Sequence, residues 1–485
     1  MWSELASNAR SVTMRVAFSS SEVYPFIKTG GLADVCGSLP IALEKLGIDT
    51  VVFLPYFRSI DRVKFNIERL NNQYARAIIG HGIEVYFIQS DLFFSREGVY
   101  GDFYGDYADN LQRFQFFSLK VLEAIKQLKL DVDIMHCHDW QSALIPVYLK
   151  TKFAHDQHFK NMKSVLTIHN LAYQGHFSKE EYAHLGLSSE YFNEKYFEFY
   201  DKINLLKAGI ALSDTVTTVS TQYAKEILTK EFGCGLEGVL KQRKDGVTGI
   251  TNGIDYAVWN PEEDPAIAKT YSVDTVTDGK SKNKAQLQKS LKLPVNDNIP
   301  LYGFVGRLSH QKGMDLILPW LRSKEAEGVQ VLLQGLGDEK YARELKEIEK
   351  LYPERFRLRL AYDENMAHRI YASSDLFLMP SNFEPCGLSQ MIAMRYGSIP
   401  IVYKTGGLVD TVMPLGHLEE TGIIFEKYDL TAFKKAISDG VKIFQEKERL
   451  NILRHHAMRR DFSWQHSAQE YEKIYQCLLS DLQEA

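Results

Sequence analysis

The chain has 485 residues, of which 45% are hydrophobic and 25% are charged, and its formal net charge is −5 at pH 7. This length exceeds one typical domain and predicts two or three. The negative balance excludes a generally basic surface for nucleic acid or anionic membranes, and no apolar run approaches the roughly 20 residues that span a bilayer. Five scattered cysteines indicate a reducing compartment rather than a disulfide framework.

The first half of the chain alternates short apolar runs with helical patterns. Residues 1–13 are polar and are predicted to be a disordered leader. Strands are then predicted at 14–19, 48–54, 84–88, 132–136, 164–168 and 215–219. Most of these runs are continuously apolar, which is typical of parallel strands covered on both faces.

The alternation restarts after a polar break at residues 255–299, where we place the connection between two lobes. Further strands are predicted at 301–305, 329–333, 357–360, 375–378 and 399–402, and only helices from about 430 onward. The fold class is therefore α/β, with two Rossmann-like doubly wound lobes facing across a cleft. Ligands of such sheets lie beyond the carboxyl ends of the strands.

One glycine motif occurs twice. Lys28-Thr-Gly-Gly-Leu follows the first strand, and Lys404-Thr-Gly-Gly-Leu follows a strand of the second half. Paired glycines at a strand-to-helix turn let backbone N–H groups face a ligand without a Cβ in the way. Two such turns, one in each half, predict two similar lobes with a ligand between them.

Two motifs of the second half indicate phosphate chemistry. Arg307 and Lys312 follow the first strand of that half, and a diphosphate needs cationic donors of this kind. Their pattern alone fits two solvated surface cations equally well. Glu384 follows another strand and precedes a predicted helix, whose N-terminus would favour a phosphate. An isolated glutamate in such a position is more often a capping or turn residue.

Two strand ends of the first half carry histidines. His136 and His138 would share one side of an extended chain, but no third or fourth metal ligand accompanies them. Asp139 is typical of a cleft residue, and His169 could donate to a substrate oxygen, although a lone histidine is more often structural. The aromatic loop at residues 94–107 is either a sugar-stacking surface or a packed loop.

Taken together, these motifs closely resemble bacterial glycogen synthases and plant starch synthases, the ADP-glucose-dependent enzymes of glycosyltransferase family 5. The resemblance runs from about Arg15 to the C-terminus, and its six motifs occur in the family's order. The matching segments are 28–35, 138–140, 169–175, 252–255, 306–308 with 311–313, and 384–388.

The resemblance implies a GT-B fold, in which a C-terminal helix crosses back to the first lobe. The expected domains are 14–258 for the acceptor, 259–462 for the nucleotide sugar and 463–485 for the helix. The implied reaction moves glucose from ADP-glucose to the non-reducing end of an α-1,4-glucan, elongating glycogen or starch with retention of configuration.

The resemblance also implies roles for individual residues. The catalytic residues would be Glu384, Lys312, Arg307 and His169. The ADP-glucose-binding residues would be Lys28, Gly30, Gly31, Arg307, Lys312, Tyr362, Gly387, Leu388 and Ser389. The residues for the glucosyl unit or the acceptor would be Asp139, His169, Asn252 and Asp34.

No cofactor and no metal are expected, and the expected partners are ADP-glucose and an α-1,4-glucan, without nucleic acid or membrane. The expected location is the cytoplasm, or the plastid if the source is a plant. Three alternatives stay open: a related GT-B transferase with another nucleotide sugar, a phosphorylase, and a glucan-binding protein without catalysis.

Overall fold

The structure is a computed structural model that describes residues 14–480. The leader predicted for residues 1–13 and the last five residues of the predicted C-terminal helix lie outside this range. The chain forms two compact units: unit 1 runs to Gly253 and resumes at Trp464, and unit 2 is Ile254–Ser463. The sequence placed these boundaries at 258/259 and 462/463.

Unit 1 is built on a mixed sheet. Its strands are β1 (Arg15–Ser19), β2 (Asp49–Pro55), β3 (Glu68–Arg69), β4 (Tyr74–Ile79), β5 (Ile83–Ile88), β8 (Ile134–His138), β9 (Lys163–Ile168), β13 (Thr215–Thr218) and β14 (Thr248–Gly249). In the described part of unit 1 their order is β14-β13-β9-β8-β1-β2-β5-β4-β3. All neighbours are parallel except β5–β4 and β4–β3, which are antiparallel. The apolar runs predicted as strands form its buried centre.

Smaller elements surround this sheet. Two hairpin pieces, β6 (Gly101–Asp102) and β7 (Gly105–Asp106), lie in the aromatic loop, and a small sheet combines β10 (His176–Ser178), β11 (Glu198–Phe199) and β12 (Lys202–Asn204). The helices are α1 (Gly31–Glu44), α2 (Asp91–Phe94), α3 (Asn110–Gln127), α4 (Asp139–Ser142), α5 (Leu144–Lys150), α6 (Leu205–Leu212), α7 (Thr221–Glu226) and α8 (Glu237–Lys241). Short 3-10 turns cover Lys179–Leu185 and Ser189–Tyr191.

Unit 2 has a parallel sheet in the order β17-β16-β15-β18-β19-β20 within the described residues. The strands are β15 (Leu301–Val305), β16 (Gln330–Gln334), β17 (Phe356–Arg359), β18 (Leu376–Met379), β19 (Ile399–Tyr403) and β20 (Ile423–Phe425). The helices are α9 (Val276–Ser290), α10 (Met314–Leu321), α11 (Glu339–Leu351), α12 (Glu364–Ser373), α13 (Ser389–Arg395), α14 (Gly406–Thr411), α15 (Leu430–Gln445) and α16 (Lys447–Arg459). Further 3-10 turns lie at Val273–Thr275, His310–Lys312 and Lys324–Ala326.

The last helix, α17 (Trp464–Ser480), belongs to unit 1 and packs against α1. Tyr471 and Tyr475 of α17 are fully buried, and the Tyr475 hydroxyl lies 2.7 Å from Nδ1 of His136 on β8. The helix therefore completes the core of the unit in which the chain begins. No helix within residues 14–480 is long and apolar enough to cross a membrane.

The polar segment 255–299 is not the connection that its composition suggested. It belongs to unit 2 and contains α9, whose Lys280 and Lys284 side chains are buried. The Lys280 ammonium donates to carbonyl oxygens that include those of Tyr371 and Tyr396. A buried lysine whose ammonium is hydrogen-bonded cannot be told from an exposed lysine by sequence alone. This is why the sequence wrongly predicts a connection between the lobes here.

Candidate active site

Both sheets have the strand order of doubly wound dinucleotide-binding folds, and the order reverses at one point in each. In unit 1 this switch point lies between β1 and β8, and in unit 2 it lies between β15 and β18. The Lys28 turn and Asp139 follow the unit 1 pair, and Arg307 and Glu384 follow the unit 2 pair. Ligands of open α/β sheets bind at such points. The predicted site residues therefore gather at the ligand-binding edge of each unit.

The glycine turn before α1 is exposed at Thr29, Gly30 and Gly31. A Cβ built on Gly30 meets no atom within 4 Å, so the internal packing of the protein does not require this glycine. The Lys28 ammonium lies 2.6 Å from the Asp34 carboxylate. Two predicted site residues, one for ADP-glucose and one for the acceptor, are thus paired with each other.

Asp139 lies between β8 and α4 with a φ of 53°, a conformation uncommon for residues other than glycine. Its carboxylate accepts a hydrogen bond of 2.7 Å from the His169 amide. Burial raises the pKa of Asp139 to about 7, although amide donors of His169 and Asn170 act in the opposite direction. The buried carboxylate thus ties the ends of β8 and β9 together.

His169 is half-buried, and its Nε2 lies 2.9 Å from Nδ1 of His138, so one ring donates to the other. Burial lowers the pKa of His169 to about 3, and it also holds the pKa of His138 well below its usual value. His169 is therefore a neutral hydrogen-bonding group near neutral pH. Its chemistry is to hold an oxygen rather than to supply a positive charge.

The sequence raised His136 and His138 as a conceivable metal pair. The nitrogens of His136 instead bond to the hydroxyls of Tyr475 and Thr167, and Nδ1 of His138 bonds to His169. Both rings pack together with centroids 4.3 Å apart. These histidines support the strand ends from inside the core.

Asn252 follows β14 and is 7% exposed. Its Oδ1 is buried without a hydrogen-bond partner among residues 14–480. An unsatisfied buried polar atom is unfavourable and commonly marks a position that a ligand or an ion completes. This observation supports the predicted role of Asn252 towards a sugar hydroxyl.

In unit 2 the two predicted phosphate ligands differ in their surroundings. Arg307 is exposed, and its Nη2 donates to Gln311 at 3.3 Å. None of the described carboxylates forms an ion pair with Arg307. The Lys312 ammonium, in contrast, lies 2.5 Å from the Glu384 carboxylate, whose side chain is 8% exposed. One cation is open to an incoming anion, and the other already neutralises the nearby acid.

The second glycine motif, unlike the first, packs against another part of the protein. Gly406 has a φ of 42°, and a Cβ on it would overlap the carbonyl oxygen of Glu384. The Gly407 amide donates to the same oxygen at 3.1 Å. The prediction that both turns present free N–H groups to a ligand is therefore wrong for Gly407 of the second copy, which packs against the Glu384 loop. In the first copy the Thr29 and Gly30 amides donate to the Glu22 carboxylate.

The remaining predicted residues lie at the same edge of unit 2. Gly387, with a φ of 74°, leads through Leu388 into α13, whose first residue is Ser389. Tyr362 follows β17 and is 67% exposed. None of the fourteen predicted positions lies in the core of a sheet.

Sequence reasoning missed Glu22, which is 3% exposed and accepts hydrogen bonds from the glycine turn. The available signal was an acid placed between the first apolar run and the Lys28 motif. The sequence also does not decide whether the aromatic loop is a sugar-stacking surface or a packed loop. The Tyr100 hydroxyl is tied to Glu22 at 2.6 Å, whereas Phe103 and Tyr104 are 91% and 93% exposed.

Comparison with known proteins agrees with this geometry. Residues 15–242 match the family model described as "Starch synthase catalytic domain", and residues 285–452 match "Glycosyl transferases group 1". A glycogen synthase of Thermodesulfovibrio yellowstonii is 40% identical, and the alignment covers 96% of this chain and 98% of that one. This chain belongs to the glycogen synthase and starch synthase family.

Other members of the family extend this result. A glycogen synthase of Caldicellulosiruptor saccharolyticus is 44% identical over 96% of this chain and 100% of its own. The catalytic domain of starch synthase IV from Arabidopsis thaliana, solved with ADP and acarbose, has a TM-score of 0.88 and 35% identity, covering 96% of this chain and 99% of that one. A sucrose-phosphate synthase from Thermosynechococcus elongatus, at 18% identity and a TM-score of 0.62, shares the fold. The two Rossmann-like units are those of the GT-B fold.

Proposed function

We propose that this chain, a glucosyltransferase that elongates glycogen or starch, takes glucose from ADP-glucose. It adds the glucose to the non-reducing end of an α-1,4-glucan and retains the anomeric configuration. Family membership supports the elongation reaction, and the related starch synthase IV structure contains ADP and acarbose. The donor, the acceptor end and the stereochemistry are the proposed parts.

The observation that carries the proposal is the cluster at the switch point of unit 2. Arg307 presents an open guanidinium after β15, and Lys312 and Glu384 are paired at 2.5 Å beside it. A guanidinium fork binds phosphate oxygens with two donors, and an ammonium adds a point charge. The cluster can bind a diphosphate and neutralise the charge that develops on it as it leaves.

In unit 1 the proposed contacts are with sugar. The neutral His169 ring and the Asn252 amide would hold glucosyl hydroxyls, and Asp139 and Asp34 would contact the acceptor. The proposed contacts with ADP-glucose come from Lys28, Gly30 and Gly31. Tyr362 would contact its adenine, and its phosphates would be bound by Gly387, Leu388 and Ser389. These assignments rest on the family resemblance and on the position of each residue at a strand end.

For the chemical step we propose attack on the same face from which ADP departs. A double-displacement route needs a carboxylate nucleophile. Glu384 is held in an ion pair with Lys312, and Asp139 accepts backbone amide bonds. The leaving phosphate is therefore the proposed base for the acceptor hydroxyl, while Arg307 and Lys312 stabilise its charge. Trapping a glucosyl group on the protein would contradict this route.

The test is a coupled assay of ADP release with and without a glycogen primer, combined with NMR of the product anomer. We expect primer-dependent ADP release and an α-linked product. A parallel competition between ADP-glucose and UDP-glucose determines the donor. Equal or faster transfer from UDP-glucose would refute the donor proposal, and glucan binding without ADP release would indicate a non-catalytic protein.

A further inference from the structure

Glu22 is a buried carboxylate that no step of the proposed reaction uses. It lies between β1 and the glycine turn and is 3% exposed. Its Oε2 accepts hydrogen bonds from the Thr29 amide and, at 3.1 Å, from the Gly30 amide. Its Oε1 accepts from the Thr29 hydroxyl at 2.6 Å and from the Tyr100 hydroxyl at 2.6 Å. Both oxygens therefore bind the glycine turn, and Oε1 also binds the aromatic loop.

We propose that Glu22 is a positioning residue that holds the glycine turn and the aromatic loop in one fixed arrangement for glucosyl transfer. The inference rests on the proposed function, since it concerns the turn that contains Lys28, Gly30 and Gly31. Glu22 acts through these loops and does not touch the reacting atoms.

The glycine turn needs such support because it is exposed and has little packing of its own. Thr29, Gly30 and Gly31 are all exposed, and the space beside Gly30 is open. Glycines also have the greatest conformational freedom to lose. Hydrogen bonds to a carboxylate are about twice as strong as neutral ones, so Glu22 is suited to ordering this turn.

The backbone of Glu22 is itself held by hydrogen bonds to the Ser20 hydroxyl. The Glu22 amide donates to the Ser20 hydroxyl at 3.2 Å, and that hydroxyl donates to the Glu22 carbonyl oxygen at 2.8 Å. The Ser21 hydroxyl lies 2.8 Å from the Tyr100 hydroxyl. Glu22 is thereby hydrogen-bonded to both loops, and the Ser21 hydroxyl adds a second link to Tyr100.

The aromatic loop is anchored independently at its far end. The guanidinium groups of Arg96 and Arg113 each lie 4.8 Å from the centroid of the Tyr107 ring. Its two anchors leave Phe103 and Tyr104 exposed at the tip. Glu22 thus joins the glycine turn to a short hairpin that presents two aromatic rings, a surface suited to the faces of glucose units.

The experiment compares full-length Glu22→Leu, Glu22→Gln and Tyr100→Phe with the wild type. In each we would measure kcat, the KM for ADP-glucose and for maltooligosaccharide, and the melting temperature. We expect Glu22→Leu to lower kcat by about 10–100-fold, since misplacing a substrate-contacting group by about 1 Å has effects of this size. Glu22→Gln keeps an acceptor for the two amides and should recover most of the kcat, and Tyr100→Phe should fall between them.

The matched control is Asp214→Leu in the same unit. The Asp214 carboxylate accepts from the Ser164 amide at 2.8 Å and the Ser164 hydroxyl at 2.7 Å, at the amino end of β9. This variant loses comparable hydrogen bonds, together with an ion pair to Lys150, at the edge of the sheet opposite the site. We expect a lower melting temperature with an unchanged kcat.

A wild-type kcat in Glu22→Leu, or equal losses of kcat in Glu22→Leu and Asp214→Leu, would overturn the inference. If Glu22→Leu does not fold, Glu22→Gln and Tyr100→Phe decide it, because a wild-type kcat in Tyr100→Phe also contradicts the coupling of the two loops. An inactive wild type would instead contradict the proposed function.

Discussion

At the scale of single residues, the two Lys-Thr-Gly-Gly-Leu motifs use their glycines for different purposes. Gly30 has open space where its Cβ would be, whereas Gly406 has a positive φ and lies against the Glu384 carbonyl. The same motif therefore forms an open surface turn in unit 1, whereas in unit 2 its first glycine allows close internal packing.

This difference predicts opposite outcomes for one substitution. Gly30→Ala should change the free energy of unfolding by less than about 0.5 kcal/mol, as a surface substitution does. It should nevertheless reduce kcat/KM about tenfold or more, because a methyl group would displace a bound substrate. Gly406→Ala should destabilise by at least about 1–2 kcal/mol. Urea unfolding and ADP release measure the two effects, and full activity in Gly30→Ala would argue against substrate contact at the turn.

The cations at the switch point of unit 2 should both matter for the rate of the reaction. Removal of one transition-state donor commonly lowers kcat by about 10²–10³. We expect Arg307→Ala and Lys312→Ala to lose at least this much. The melting curve of the exposed Arg307→Ala should stay close to wild type, whereas Lys312→Ala leaves the buried Glu384 carboxylate without its counter-ion and should melt at a lower temperature. Lys404→Ala, which breaks an exposed pair with Glu426, is the control and should retain its activity. Normal turnover in Lys312→Ala would contradict the proposal that Lys312 binds the diphosphate.

Asp139 makes stability depend on pH in a defined direction. Its folded pKa is raised to about 7 by burial, so the folded state keeps a proton that the unfolded state releases. The resulting stability is fully present below the unfolded pKa of about 3.9 and is lost as pH rises to about 7. Asp139→Asn lacks this ionisation. The advantage of the variant in free energy of unfolding should therefore grow between pH 5 and pH 8, and urea titrations at both values would show it.

At the scale of elements, a buried ion network fixes two helices to the unit 2 sheet. Asp375, just before β18, bonds at 2.7 Å to Lys284 of α9 and at 2.8 Å to Arg454 of α16. All three side chains are at most 6% exposed. The two helices are thus held by one carboxylate.

Removal of that carboxylate should be severe. Asp375→Leu would leave two buried cations without a counter-ion, which typically destabilises by about 3–5 kcal/mol. Lys282→Ala on the same helix breaks only an exposed pair with Asp278 and should cost less than about 1 kcal/mol. Chemical unfolding of both variants compares the two. A loss as small in Asp375→Leu as in Lys282→Ala would contradict the network's role.

The same network shows how far sequence reasoning reaches. The bounds predicted for β15 match those of the structure, because a short continuous apolar run is typical of a parallel strand that is covered on both faces. The polar residues of α9 led to a wrong prediction, because Lys280 and Lys284 bind groups on elements that are distant in sequence. The strand-end motifs located the candidate site, but the pairing of Lys312 with Glu384 and the role of Glu22 depend on tertiary contacts.

At the scale of the whole molecule, unit 1 is assembled from both ends of the chain. The rings of Tyr471 and Tyr475 in α17 are fully buried in it. A chain that ends at Ser463 would lose this burial and leave Nδ1 of His136 without its partner. Burial of each large side chain contributes about 1.5–3 kcal/mol.

We therefore expect the chain ending at Ser463 to lose amide protection in β1 and β8 and to keep it in β15 and β18. Hydrogen exchange with mass spectrometry resolves the two sheets. A chain ending at Ser480 retains α17 and should exchange like the wild type. Equal loss of protection in both sheets would show that α17 stabilises more than unit 1.

The return of α17 to the first unit also affects biosynthesis. The ribosome releases the strands of unit 1 first and completes α17 only after all of unit 2 has been made. At about 5–20 residues per second, this interval lasts roughly 10–40 s. During that time the nascent chain exposes the apolar surface beside α1 that α17 covers in the folded unit.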